Sequence, residues 1–324
     1  MSQPGRLCPL HYQTGPDALR TAPLYRCPTV YLVGGLYGND AALAAIQALA
    51  HRERAAGHPE PLLVFNGDFH WLDADPAVFR HIQEAVLNQA AILGNVEAEL
   101  AQPTPGIGCG CAYPETVDDA TVMHSNRIMA RLQRMVAETP ALHDVTRQLS
   151  GLPRQIRLAV GDLRVGVIHG DPESLAGWRL ALEQMPAPGR TTSRIRRWFE
   201  VSEVDLFACS HTCLPFAQRF TWERRQALIF NNGAAGLPNF RGDRRGVITR
   251  IAETPAPVPA LYGGVLRGVH CDAVPVAYDT AAWARRFRAI WPEGSAACHN
   301  YARRLAHGTG LTPQAANRLG DRRP

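Results

Sequence analysis

PLLVFNGDFHWLDADPAVFRHIQEAVLNQAAILGN, residues 61–95, decides the fold. It opens with an apolar run, LLVF, that breaks at Gly67 and ends on Asp68. PAVFRHIQEAVLNQ follows, with apolar side chains at helical spacing behind a proline, a residue suited to a first helical turn. AAILGN is a second apolar run, closed by Gly94 and Asn95. Strand, helix and strand in that order predict a parallel βαβ unit. Upstream, PTVYLVGG (28–35) reads as a buried strand and DAALAAIQALAHRERAA (40–56) as a helix. The chain therefore begins as an α/β fold with largely parallel strands.

Downstream the pattern changes. RQIRLAVGDLRVGVIHG (154–170) reads as a hairpin with a Gly-Asp turn. VDLFACSH, QRFTW, QALIFNNG, GVITRIA and HCDAVPVAYD are further strands with few helices between them, so the sheets are expected to be mixed. TAAWARRFRAIW and ACHNYARRLAHG read as two closing helices separated by PEG. The expected organisation is an irregular leader over 1–28, a main domain over 29–293, and a C-terminal helix and tail over 294–324 packing on it. Residues 102–152 read as a helical insertion near the cleft, with a Gly/Cys loop ahead of TVMHSNRIMARLQRMVAE.

Of the 324 residues, 46% are hydrophobic, ample for a large core. The net charge is +5, and arginine supplies all the cationic side chains, since the chain has no lysine. Nucleic-acid binding needs such charge on one face, and only two small groups hint at that, Arg194/Arg196/Arg197 and Arg241/Arg244/Arg245; nucleic acid is not an expected partner. No apolar run reaches membrane-spanning length and the first twenty residues lack a signal-peptide stretch, so a cytoplasmic protein is expected. Cys109 and Cys111 stand in GIGCGCAYP; in that compartment they read as reduced thiols. The oligomeric state is not encoded in any pattern found.

Four runs end on metal-binding residue types: LLVFNG on Asp68, AILG on Asn95, RVGVI on His169, and VDLFACS on His211. A fifth, ALIF, ends on Asn231 and Asn232. Ligands of open α/β sheets bind beyond the carboxyl ends of strands, so these side chains can converge. One Asp, one Asn and two His suit a divalent transition metal.

The order GD, GN, H-G, x-H-T-x, N-G-x-x-G-x-P resembles the motif series of the calcineurin-like metallophosphoesterase superfamily, from about Tyr31 to the end. The resemblance implies a four-layer αββα sandwich and a metal-dependent phosphoesterase hydrolysing phosphomonoesters, phosphodiesters or nucleotides. It implies Asp68, Asn95, His169 and His211 as ligands of one metal. The other metal's ligands are missing: Gly35 and Tyr37 stand where the family has Asp and His, and Cys213 replaces the second His of the last motif. One divalent ion (Mn, Fe, Zn or Ni) is thus expected, unless Tyr37, His70 and Cys213 rebuild the other site. Val96 replaces the family's usual acid, which leaves His70 and Asn95 as catalytic candidates. His70 follows Asp68 by two, on the same side if the segment is extended; a second-sphere hydrogen bond is its other reading. Asn39, His124, Arg127, Asn232 and Arg241 are candidate contacts to a small phosphorylated substrate, including a nucleotide. The alternative function is a catalytically impaired relative that binds a nucleotide or phosphate ligand as a sensor.

Overall fold

The computed structural model describes residues 3–320. Its strands are β1 (Leu24–Arg26), β2 (Thr29–Val33), β3 (Leu62–Asn66), β4 (Ala90–Ile92), β5 (Gln155–Val160), β6 (Leu163–Ile168), β7 (Leu206–Cys209), β8 (Phe216–Trp222), β9 (Arg225–Asn231), β10 (Gly246–Ala252), β11 (Tyr262–Leu266), β12 (Val269–Val276) and β13 (Asn317–Arg318). Its α-helices are α1 (Asp40–Ala55), α2 (Pro76–Leu87), α3 (Asn95–Ala101), α4 (Asp119–Glu138), α5 (Val145–Ser150), α6 (Ser193–Ser202), α7 (Thr280–Ile290), α8 (Ala296–His307) and α9 (Pro313–Ala316). The strands form two mixed sheets, β11-β12-β10-β2-β3-β4 and β1-β5-β6-β7-β9-β8-β13.

The opening βαβ pattern is realised, with β2, β3 and β4 parallel neighbours. Alternation along them sets the layers. Val30, Leu32 and Val64 meet Val165, Val167 and Leu228 in a core between the sheets. Tyr31, Val33, Leu63 and Phe65 turn the other way, into a core with Leu43 and Ile46 of α1 and Phe79 and Ile82 of α2. Strands covered on both faces read as near-continuous apolar runs, as these do. On the outer face of the seven-stranded sheet, Phe207 and Ile229 pack with Trp198 and Phe199 of α6, Phe199 lying 4.7 Å from Phe207. Helix, sheet, sheet and helix make the expected αββα sandwich. Truncating a core ring such as Phe199 to Ala would cost about 3–5 kcal/mol.

Local chemistry sets the boundaries. Asp75 caps α2, its carboxylate accepting from the amides of Ala77 and Val78, with Pro76 in the first turn. Gly161 opens the two-residue β5–β6 turn at φ 51°, which an L side chain resists. AAILGN is strand only to Ile92. A helix starts at Asn95 instead, because the Glu97 carboxylate accepts from the Gly94 amide and closes the first turn.

In residues 3–28, two 3-10 turns precede β1, which joins β5 in parallel. Tyr12 there is buried and donates to Glu99 Oε1 at 2.8 Å. The 102–152 segment holds α4, packed on α3 and α8.

Candidate metal centre

The four strand ends converge. Asp68 follows β3 and Asn95 opens α3 after β4, both from the six-stranded sheet; His169 follows β6 and His211 follows β7, from the other. The centre thus lies where the carboxyl ends of the two sheets meet. Asp68 Oδ2 is 3.4 Å from His169 Nε2, and Asn95 Oδ1 and His211 Nδ1 are each 3.2 Å from the same nitrogen. Ligand atoms of Asp68, His169 and His211 all lie within 4.8 Å of one another, and all three residues are buried.

The backbone fixes which atoms face inward. His169 Nδ1–H donates to the Asn66 carbonyl at 2.9 Å, leaving Nε2 as the ligand atom. His211 Nε2–H donates to the Cys111 carbonyl at 3.0 Å, leaving Nδ1. Asn95 Nδ2 donates to the Cys109 carbonyl at 3.0 Å, which turns Oδ1 to the centre. Metal-binding imidazoles are commonly oriented this way through their second nitrogen. Two imidazoles, a carboxylate and an amide oxygen, pre-aimed and buried, fit a divalent transition metal.

Charge agrees. Burial opposes ionisation of Asp68, but His169 and then His211 hold its carboxyl below the usual range. Burial likewise opposes the charged form of His169, and Asp68 overcomes it, so the imidazole is raised. Burial and the neighbouring His169 bring His211 down to about 3, a neutral ligand. Asp68 itself sits at φ 55°, and so do Tyr37 at 55° and Cys213 at 59°. Left-handed backbone at non-glycine residues carries strain and gathers at functional sites.

The opposite half of the cleft is plugged. A Cβ on Gly35 would lie 2.4 Å from Tyr37 Cζ, so the phenol ring takes the space of a side chain at position 35. Tyr37 Oη and Cys213 Sγ hydrogen-bond each other at 2.5 Å. Burial pushes the Tyr37 hydroxyl well above its ordinary value and the Cys213 thiol up to about 11, so both keep their protons. A rebuilt metal site from Tyr37, His70 and Cys213 is therefore corrected: two of the three bond to each other and the third points elsewhere.

His70 is also corrected as a catalytic group. Gly67 at φ 76° and Asp68 end the extended backbone, so the two-residue parity that would aim His70 at the centre fails. Its ring stacks on Phe79 at 3.6 Å and bonds Asp73 and Gln83, fully buried. Other expected contacts are elsewhere too. Asn39 caps α1 and donates to the Gly236 carbonyl. His124 stacks on His299 and bonds Asn300; Arg127 is exposed on α4. Arg241 is exposed and donates to the Gly310 carbonyl. Asn232 is buried, with both amide atoms unpaired and no share in the cleft lining. The sulfurs of Cys109 and Cys111, read as thiols, lie against each other, their loop folded against Asn95 and His211.

A cavity of about 160 Å³ opens on the centre. Asp68, Asn95 and His211 form one wall, and Tyr37 and Cys213 another. Trp71, Tyr113, Trp178, Tyr301 and Arg304 complete it, and none was marked by the sequence reading. Trp178 lies edge-on to His211 at 5.3 Å and donates to the Cys111 carbonyl. Tyr301 and Arg304 come from α8, and Trp71, Tyr113 and Trp178 from connecting segments outside any strand-end motif.

No family model matches the sequence, and no curated protein matches it. Solved structures do. A hypothetical protein of Pyrococcus horikoshii OT3 superposes with TM-score 0.58 at 15% identity, over 87% of this chain and 99% of that one. A metallophosphoesterase from Sphaerobacter thermophilus superposes with TM-score 0.52 at 19% identity, over the same shares of each chain. The chain has the calcineurin-like metallophosphoesterase fold, in a divergent sequence.

Proposed function

We propose that the chain is a phosphoesterase working with a single divalent transition metal, held by Asp68, Asn95, His169 and His211. The observation that carries this is the fixed aim of the two imidazoles, each locked by a backbone carbonyl. A metal so held polarises a phosphoryl oxygen and lowers the pKa of water. The chain's own residues do the rest. Asp68 balances charge at the centre, and Asn95 Oδ1 orients toward the same point. Trp178 and Tyr113 wall the cavity and exclude solvent beside His211. The substrate is a small phosphorylated molecule, with room for a flat group such as a nucleobase against these rings. We place the protein in the cytoplasm; among the described residues no helix is long and apolar enough to cross a membrane.

One observation favours the sensor reading. Val96 cannot move a proton and His70 is sequestered, so the cavity lining holds no imidazole beyond the metal ligand His211. Elemental analysis and a panel of p-nitrophenyl phosphate, bis-p-nitrophenyl phosphate and nucleotides decide. We expect one metal per chain and turnover that His169→Ala abolishes. Two tightly bound metals would break the single-metal reading. Saturable nucleotide binding without turnover would establish the sensor.

A further inference from the structure

We infer that Arg304 is the phosphoryl-binding cation of this cleft, acting across the cavity from the metal centre. The inference rests on the phosphoesterase reading for its setting, but on separate observations for its substance.

Arg304 is the one cationic side chain permanently charged among the residues lining the cavity. It is half-buried on α8 and reaches the plugged half-site. Its Nε donates to the Pro238 carbonyl at 2.7 Å, and Nη2 donates to the Cys213 carbonyl at 3.0 Å and Asn239 Oδ1 at 3.3 Å. These acceptors are all neutral. They fix the guanidinium plane without cancelling its charge, and among the described residues no carboxylate lies within ion-pair distance of it. No hydrogen bond to Nη1 is present among the described residues either.

A half-buried guanidinium, held by three hydrogen bonds to neutral acceptors and left without a counter-ion, is a site for an anion. Its field already reaches Tyr37, Cys213 and Tyr301 in the same walls. In a two-metal phosphoesterase, both ions stabilise phosphoryl charge. Here Tyr37 and Cys213, hydrogen-bonded to each other, fill the half of the cleft opposite the candidate ligands, and the cationic side chain beside them is Arg304. A tetrahedral phosphoryl group can offer one oxygen to the metal and others to the guanidinium edge, which binds oxyanions through directed N–H bonds. The ligand class follows: a phosphate mono- or dianion, free or esterified, rather than a neutral ligand.

Inorganic phosphate binding to the metal-loaded protein tests this by calorimetry, without any need for turnover. Arg304→Gln keeps some hydrogen bonding to the loop but removes the charge; Arg304→Lys keeps the charge but loses the fork. We expect Arg304→Gln to weaken phosphate by roughly tenfold to a hundredfold, with Arg304→Lys between it and the wild type. Metal stoichiometry and the thermal midpoint, measured alongside, show that centre and fold persist. Unchanged phosphate affinity in a folded, metal-loaded Arg304→Gln overturns the inference, as does a wild type that binds no phosphate. Should Arg304→Gln fail to fold, Arg304→Lys decides alone: unchanged affinity overturns the inference, and a severalfold loss supports the fork. Phosphate binding that depends on Arg304 in a protein that hydrolyses no ester would leave this inference standing and sink the phosphoesterase reading.

Discussion

Two buried polar clusters in this molecule balance their charge in different ways. Glu53 of α1 and Arg250 of β10 pair on the helix-covered side of the six-stranded sheet, both wholly buried. Arg250 Nε contacts both carboxylate oxygens at 3.1 and 3.0 Å, while Tyr31 and His58 complete the carboxylate and Thr254 the guanidinium. At the cleft, Asp68 is balanced instead by His169, at 3.4 Å. An arginine does not surrender its proton in a protein, whereas a histidine does, and metal binding displaces it. The first cluster is closed and serves stability. The second is held together by a proton that an incoming cation can replace, which suits it to metal binding.

The sharpest break between them is in stability. Arg250→Met leaves Glu53 buried without its cation and should cost about 3–5 kcal/mol, read as a fall in the denaturant midpoint. A loss below 1 kcal/mol would show that the pair is not the closed unit described. The converse holds at the cleft. A divalent metal at about a thousandfold excess over its Kd should stabilise the wild type by about 4 kcal/mol, and His211→Gln should lose most of that gain. An equal metal-induced rise in the thermal midpoint of both proteins would mean that the ion binds elsewhere.

The pH dependence separates the clusters further. Burial works against the Glu53 carboxylate, but bonds from Arg250, Tyr31 and His58 hold it below its ordinary value near 4.5. A depressed carboxyl contributes stability above its unfolded pKa and loses it as pH falls through the folded one. The wild type should therefore lose stability below about pH 4.5, with a smaller loss over the same range in Glu53→Gln. Parallel profiles would remove Glu53 from the account. The smallest effect belongs to the plug. Tyr37→Phe deletes the bond to Cys213 and should cost about 1 kcal/mol, with metal stoichiometry unchanged. A second bound metal in that variant would show that only the phenol keeps the half-site closed.

Much of the fold was legible along the chain. Apolar runs ending at Gly67-Asp68 and Gly94-Asn95 around a helical stretch announced β3, α2 and β4. The Gly-Asp turn announced β5 and β6. The candidate ligands were legible for the same reason: strand ends carry Asp68, Asn95, His169 and His211 in the primary pattern. His70 misled because one local turn reversed its direction, and two positive φ values leave no mark in composition.

The sequence by itself determined an α/β chain with mixed sheets and four strand-end candidate ligands, while the sandwich and the lost ligands at positions 35, 37 and 213 came from its resemblance to the metallophosphoesterase motif series. Residue type and strand period carry that information locally. Only the tertiary structure decided how the two imidazoles are aimed, since the carbonyls of Asn66 and Cys111 are chemically like any others. It alone showed the half-site filled by Tyr37 and Cys213, 176 residues apart, and faced by Arg304 from a distant helix. Such contacts arise from packing sheet against sheet and helix against sheet, which no short window of sequence can encode.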